Sequence, residues 1–182
     1  GVDYLITACT MLDGLEGEGP RLVMAGPGSL KALWAGALPP GIEVRDRLIG
    51  DVEALDLFRR CGLVVLPYVD ATQSALIAAA YFFRKPVVVT QAGALAEYVE
   101  NGRTGFVVEP DHPPGMARCL SAALADPARL AQMGAAGRAW YEERRAAEEQ
   151  ALLRMYERVA REQGSKGAGE TGRGGDTETG EA

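Results

Sequence analysis

Apolar and polar residues alternate along this chain in two rhythms, one helical and one of short solid runs. From Val2 onward, Leu5, Ile6, Cys9 and Leu12 recur at helical spacing, and the pattern ends at Asp13-Gly14 and the Gly/Glu-rich run GLEGEGP. RLVMA, Arg21 to Ala25, predicts a short buried strand; GPGS follows, then a helical stretch carrying Leu30, Leu33 and Trp34 that Pro39-Pro40-Gly41 stops. IEVRD alternates as a strand from Ile42 to Asp46, and Asp51 reads as the N-cap of a helix with Val52, Leu55 and Phe58 on one side. LVVL, Leu63 to Leu66, predicts a second solid strand. After it come a loop at Pro67 to Gln73, a helix to about Arg84 and the strand PVVVT. A short helix around Glu97 closes on Asn101-Gly102, and TGFVV gives a last strand.

Solid apolar strands separated by helices mean a parallel sheet covered on both faces, because a crossover helix shields each side. The pattern therefore predicts an α/β fold: a doubly wound, Rossmann-like domain over residues 1–126, with C-terminal helices over 127–163. Pro114 suits the first turn of one helix, and Asp126-Pro127 places an N-cap before a proline at the first helical position. Leu152, Met155, Tyr156 and Val159 make the final helix amphipathic. From Gly164 to Ala182 no apolar residue is larger than alanine, so this Gly/Glu-rich tail is expected to be disordered.

Composition narrows the partners. The 182 residues are 47% hydrophobic, enough for one cored domain, and their 25 acidic against 19 basic residues disfavour nucleic acid, which requires a basic stripe. No apolar run reaches membrane-spanning length, and GVDYLITACT lacks a signal peptide's basic start, so a soluble domain is expected, and the unpaired cysteines suit a reducing cytoplasm. The chain does not begin with Met, so a fragment or processed chain is expected. Cys9, Cys61 and Cys119 are widely separated and sit in apolar surroundings, the pattern of small core residues rather than disulfides or a zinc knuckle.

In an open parallel sheet, ligands bind beyond the carboxyl ends of the strands. AGPGSLK follows the first strand, yet Lys31 stands where a dinucleotide fingerprint needs its third glycine. PYVDATQS leads from a strand directly into a helix. The free N–H groups of that helix start, with the hydroxyls of Thr72 and Ser74, suit a phosphate, although Thr72 acting only as a cap explains the same residues. Gly93, in TQAGALAE, permits close approach of backbone to ligand or makes a tight turn, and Glu97 falls in the first turn of the next helix. His112 is the single histidine, in the loop EPDHPPG. No Ser-His-Asp set, Cys-His pair or metal cluster can be assembled without it.

Taken in order, RLVMAGPGS, LVVLPY, ATQSALIAAAYFFRKPVVVT, AGALAEYVENGRTGFVVEP and LADPARLAQMG resemble the retaining GT-B glycosyltransferases of family 4, group 1. Gly1 to Leu5 looks like the start of the first helix of that family's C-terminal, donor-binding domain. The block from Lys85 to Val108 is the most specific part. The resemblance implies transfer of a sugar from a nucleotide-diphosphate-sugar to an acceptor, with retained configuration and no metal or other cofactor. It implies that Thr72, Gln73, Ser74, Ala75 and Leu76, with Gly93, hold the donor diphosphate. Arg47, Leu48 and Ile49 would border the nucleobase, and Glu97 would be the catalytic carboxylate beside the sugar. The implied partner of this donor half is an N-terminal acceptor domain of the parent chain, and any peripheral membrane contact would run through that domain.

Two departures qualify the resemblance. The family's paired glutamates would fall at Ala71 and Ala79, and a methyl cannot accept the ribose hydrogen bonds that a carboxylate does. The family's diphosphate-neutralising Arg and Lys would precede Gly1, as would its first strand, so the sheet is expected to have an edge or gap and the fragment alone to be inactive. A non-catalytic glycosyltransferase-like binding or assembly module is the alternative. A Rossmann epimerase lacks both its fingerprint and a Tyr-x-x-x-Lys dyad.

Overall fold

The computed structural model describes residues 1–12, 22–28, 34 and 36–167. Their contacts divide the chain into two units that meet within the last helix, Gly1–Tyr141 and the segment from Glu142 onward. The run GLEGEGP, the helix through Leu30 and Leu33, and residues beyond 167 lie outside the described residues. Trp34 is not helical; its indole N–H donates to the Ala37 carbonyl at 3.3 Å.

The first unit is α/β, with parallel pairing throughout its described strands. Helix α1 (Val2–Cys9) precedes β1 (Leu22–Ala25) and β2 (Ile42–Arg45), which pair in parallel. Helix α2 (Asp51–Arg60), β3 (Val64–Leu66), α3 (Ala75–Phe82) and β4 (Val87–Thr90) follow. A 3-10 helix (Leu95–Tyr98), β5 (Gly105–Val108) and α4 (Pro113–Leu124) lead into α5 (Pro127–Gly167). The single sheet expected from the sequence is hydrogen-bonded as two, β1-β2 and β3-β4-β5, so β1 and β3 each keep an unpaired edge among the described residues.

The solid apolar run of β4 is explained by cover on both faces. Val87, Val88, Val89 and Thr90 are all 0% exposed. With side chains alternating, Val87 and Val89 enter a cluster with Ile77, Ala80 and Tyr81 of α3 and Leu95. Val88 enters the opposite cluster, with Tyr4, Leu5 and Cys9 of α1 and Met116 and Leu120 of α4. Both strand-to-helix layers are thus present around one central strand.

Several local expectations are corrected. Gly50, in extended conformation, is the N-cap of α2 and Asp51 its first residue, where the carboxylate complements the helix dipole. Helix α3 stops at Phe82 because Arg84 turns left-handed (φ 55°). The Arg84 N–H donates to the Tyr81 carbonyl and the Lys85 N–H to that of Ala80. This is the hydrogen-bond pattern of a Schellman motif, which glycine usually supplies. The C-terminal helices expected over residues 127–163 form one 41-residue helix, which runs past Gly164, where composition predicts the tail to begin. Its Ala-, Glu- and Arg-rich sequence holds no proline after Pro127, so helix propensity carries it onward. The Asp126 cap is as expected, its Oδ1 accepting from the Arg129 N–H at 2.9 Å.

Beyond Tyr141, Leu152, Leu153, Met155, Tyr156 and Val159 are 41–62% exposed along α5. A hydrophobic dye such as anilinonaphthalene sulfonate should therefore brighten on this chain; an isolated monomer that leaves the dye dark would show this face to be covered.

The cysteines sit as expected of core residues only in part: Cys9 is buried, while Cys61 and Cys119 are half-buried. Burial pushes the Cys9 thiol up to about 11. The folded state therefore holds this proton where the unfolded chain releases it. The resulting stability is intact below the unfolded value near pH 8.5 and lost as pH rises through about 11. Burial pushes Cys119 up to about 11 as well, so urea unfolding at pH 8 and pH 10.5 should show a loss that Cys9→Ala reduces by up to about 2–3 kcal/mol and the double variant with Cys119→Ala reduces further.

Candidate donor site

The first loop beyond a strand end runs from Pro67 to Ser74 and enters α3. Ser74, not Thr72, is the N-cap: its backbone is extended (φ −143°, ψ 121°) and its Oγ accepts from the Leu76 N–H at 3.3 Å. The Ile77 N–H goes to the Ser74 carbonyl at 3.3 Å. The Ala75 N–H, at the first helical position, has no carbonyl within the helix to receive it. Thr72 and Gln73 are exposed, so a polar surface of hydroxyl, amide and backbone N–H stands at the positive end of the helix dipole. Leu76 contributes an exposed side chain, and its N–H is shared with the Ser74 cap.

The second loop leaves β4 and is fastened to the first. At its start, the fully buried Thr90 donates through Oγ1 to the Tyr68 carbonyl. Further on, Gly93 is left-handed (φ 52°), and a Cβ there would lie 1.6 Å from the Ala71 carbonyl oxygen. The next residue, Ala94, donates its N–H to the Thr72 carbonyl at 3.2 Å. The glycine is therefore required by loop-to-loop approach as well as by backbone conformation. These contacts bring Thr72 and Gly93, distant in sequence, to the carboxyl ends of the adjacent parallel strands β3 and β4. Glu97 is exposed on the 3-10 helix that follows, its N–H bonded to the Ala94 carbonyl at 3.1 Å.

Beneath the loops lies a buried polar relay that sequence reasoning missed. The Tyr81 hydroxyl donates to the Tyr98 carbonyl at 3.0 Å and meets Thr104 Oγ1 at 2.8 Å; that oxygen also accepts the Glu100 N–H at 3.0 Å. It ties α3 to the 3-10 helix that carries Glu97. Tyr81→Phe leaves buried polar atoms short of partners and should cost about 1–3 kcal/mol in chemical denaturation.

The residues expected beside the nucleobase stand at the end of β2. Arg47 binds Glu53 through both guanidinium nitrogens, at 2.7 and 2.8 Å, and Arg45 reaches the same carboxylate at 2.9 Å. The Arg47 hydrogen bond, followed by that from Arg45, holds Glu53 below the usual carboxylate range. This ion-pair group fastens β2 to the first turn of α2, with Leu48 81% exposed and Ile49 half-buried. Among the described residues no hydrogen bond joins 47–49 to the Thr72 or Gly93 loop. Asp46 Oδ1 accepts the Gly28 N–H at 2.9 Å, which anchors the turn after β1. Ala71 and Ala79 are half-buried. His112 occupies the N-cap position of α4 without a side-chain cap bond. No group of three His, Cys, Asp or Glu gathers among the described residues, and no helix among them is long and apolar enough to cross a membrane.

Residues 1–126 match the family of glycosyl transferases group 1. The chain belongs to that family. A D-inositol 3-phosphate glycosyltransferase of Streptomyces avermitilis is 33% identical over 88 residues, 48% of this chain and 19% of that protein. One of the same description from Streptomyces scabiei is 32% identical over 91 residues, 50% of this chain and 20% of its own length. The matched part is thus about a fifth of these curated relatives. The architecture recurs in Anabaena Alr3699/HepE, solved in complex with UDP and glucose. It has a TM-score of 0.71 at 20% identity, over 86% of this group 1 chain and 45% of that one. A C-terminal domain of a Francisella tularensis group 1 protein is similar with a TM-score of 0.68 at 18% identity, over 79% of this chain and 78% of that domain. These likenesses show the GT-B-type Rossmann fold.

Proposed function

We propose that this chain is the donor-binding half of a glycosyltransferase that moves a sugar from a nucleotide-diphosphate-sugar to an acceptor, with retention of configuration. The observation that carries the reading is the fastening of the Gly93 loop onto the Ala71-Thr72 backbone, beside the Ser74-capped start of α3. Diphosphate oxygens need several N–H and O–H donors fixed in advance, and a helix start locked against a glycine loop supplies such donors at low reorganisation cost. In this reading Thr72, Gln73, Ser74, Ala75 and Leu76 face the diphosphate, Gly93 admits it, and Glu97 borders the sugar. Arg47, Leu48 and Ile49 offer a partly apolar edge toward the base. The relatives' names and the UDP complex of Alr3699/HepE support a nucleotide-sugar donor.

The proposal extends to metal-independent binding, a cytoplasmic setting and an acceptor domain elsewhere in the parent chain. Calorimetry with UDP, GDP and ADP, with and without a chelator, tests it: saturable binding of at least one, unchanged by chelation, is expected, and absence of all three sinks it. The second reading, a binding module without catalysis, is favoured by Ala71 and Ala79, which lack the acceptors that two acids would give. It would be distinguished by nucleotide binding in a parent chain that neither transfers nor hydrolyses the sugar.

A further inference from the structure

Helix α5 runs back along α3 within the Gly1–Tyr141 unit, so the two ends of α3 have different neighbours. At the donor end, Trp140 and Tyr141 stand around a small cavity with Gln73 and Ser74, which belongs with the site already described. At the other end, before the amino end of β4, Gly134 of α5 packs on Arg84, and Arg138 donates to the Phe82 carbonyl at 2.8 Å. The last turn of α2 joins them there. Lys85 Nζ donates to the Arg59 carbonyl at 3.0 Å, and the Phe58 ring stacks on Phe83 at 5.6 Å between centroids.

Three segments distant in sequence thus gather one sign of charge. Residues 57–60, 82–85 and 133–138 hold Arg59, Arg60, Arg84, Lys85 and Arg138 and no acid, on a chain whose net charge is −6. Asp56 is taken by Arg60 at 3.3 Å, while Arg59 and Arg84 are exposed and bind no carboxylate among the described residues. Between these cations lies a row of rings, Phe58, Phe83 and Phe82. The last is 58% exposed, with Arg138 4.6 Å over its face and Phe83 edge-on at 5.2 Å. Helix dipoles account for cations at the carboxyl ends of α2 and α3, but not for an aromatic ring left in water among them. Arg84 also keeps a left-handed backbone that glycine takes at lower cost, so its guanidinium stands here against a conformational penalty.

The combination selects the partner. A ring surrounded by cations fits a segment that lays an apolar side chain on the ring and sets carboxylates around it, each in a charge-assisted hydrogen bond. Charge complementarity favours a short acidic segment over a membrane or nucleic acid. Those extend well past the Debye length of about 8 Å and meet the rest of an acidic chain, whereas a peptide meets the patch alone. We infer that the surface around Phe82, flanked by Arg59, Arg84 and Lys85, docks an acidic peptide segment of a partner protein, with an aliphatic or aromatic side chain of that segment seated on Phe82. This surface stands at the opposite ends of the strands from the Thr72 and Gly93 loops, so it is independent of the donor reading.

Fluorescence anisotropy on the whole chain tests this, with a fluorescein-labelled peptide of about 12 residues in which a central Leu-Phe pair is flanked by glutamates. Saturable binding is expected, and it should weaken as salt is raised from about 50 to about 300 mM. Affinity should fall at least about tenfold in the double variant Arg59→Glu, Arg84→Glu and at least about threefold in Phe82→Ala, with UDP binding unchanged in both. Arg84→Gly removes a charge while relieving the left-handed backbone. It should weaken the peptide while the melting temperature holds or rises, a pairing that a merely structural role for Arg84 would not produce. No saturable binding up to about 1 mM peptide overturns the inference. So does affinity undiminished in the double variant, or equalled by a peptide with lysine for every glutamate or with Ala-Ala for the central pair. Binding to phosphatidylserine vesicles or single-stranded DNA without binding of the peptide overturns it as well.

Discussion

Gly93→Val should weaken nucleoside diphosphate binding by at least about 30-fold while the α/β core remains folded. Two independent strains add at this position. The left-handed backbone (φ 52°) costs roughly 1–2 kcal/mol for a residue with a Cβ, and more for a branched one. The new atom would also stand 1.6 Å from the Ala71 carbonyl oxygen and 2.7 Å from its carbon. Both are backbone atoms, so no side-chain rotation relieves the clash; overpacking of this kind costs about 1–3 kcal/mol. The cheapest response is for the loops to part, which breaks the bond from Ala94 to the Thr72 carbonyl and disperses the donors at the start of α3. Because the strands beneath are held by their own ladder and two apolar clusters, the damage should be local. Calorimetry with UDP and far-ultraviolet circular dichroism separate the two effects. Unaltered nucleotide affinity in the variant would show that the loop pair is not the donor site.

The largest loss of stability is expected from Gly134→Val. A Cβ at Gly134 would sit 1.9 Å from the Arg84 carbonyl oxygen and 3.2 Å from Pro86 Cδ. The first turns of α5 lie that close because Leu130 and Met133 are buried beside them, at 7% and 3% exposure. Arg138 adds a hydrogen bond to the Phe82 carbonyl at 2.8 Å and stands 4.6 Å over the Phe82 ring. Valine forces the helix outward and loosens these contacts together, a change of roughly 3–5 kcal/mol by the sizes of overpacking and core loss. For a chain of this length that lowers Tm by roughly 10 °C or more in a thermal scan. Gly134→Ala should do less, and a melting temperature unchanged in both variants would refute the close contact. Trp140 should redden in emission as its surroundings open, a change Gly93→Val would not produce.

The difference between these two glycines shows what was legible in advance. Gly93 follows a strand and precedes a helix, so its place in a strand-end loop could be read from order alone. Gly134 lies inside a continuous helical pattern, where nothing local marks it. Its necessity comes from the Arg84 carbonyl, fifty positions earlier in the chain. By its sequence Thr72 reads as the cap, and Ser74 carries a hydroxyl of the same kind two positions later. The choice went to Ser74 because the Thr72 carbonyl is drawn to Ala94, which holds Thr72 outside the helix start. Arg84 likewise gave no sign of a helix end. Glycine or asparagine announces a left-handed C-terminal residue, whereas here an arginine takes that conformation while its N–H and that of Lys85 close onto the Tyr81 and Ala80 carbonyls.

By itself, the sequence determined the class of the protein: solid apolar runs separated by helical periods dictate parallel strands covered on both sides, and loops after those strands are where a ligand can meet free backbone donors. It also determined that Ala71 and Ala79 bring no acids to that place. Only the tertiary structure decided which donors stand together, through the Gly93 approach to Ala71. The same holds for the division into two hydrogen-bonded sheets, and for the return of α5 along α3 to set Trp140 and Tyr141 beside Gln73. Periodicity records which face of an element is buried, since burial acts on each residue locally. Which element does the burying depends on contacts between residues far apart in the chain, and those are fixed only when the whole unit packs.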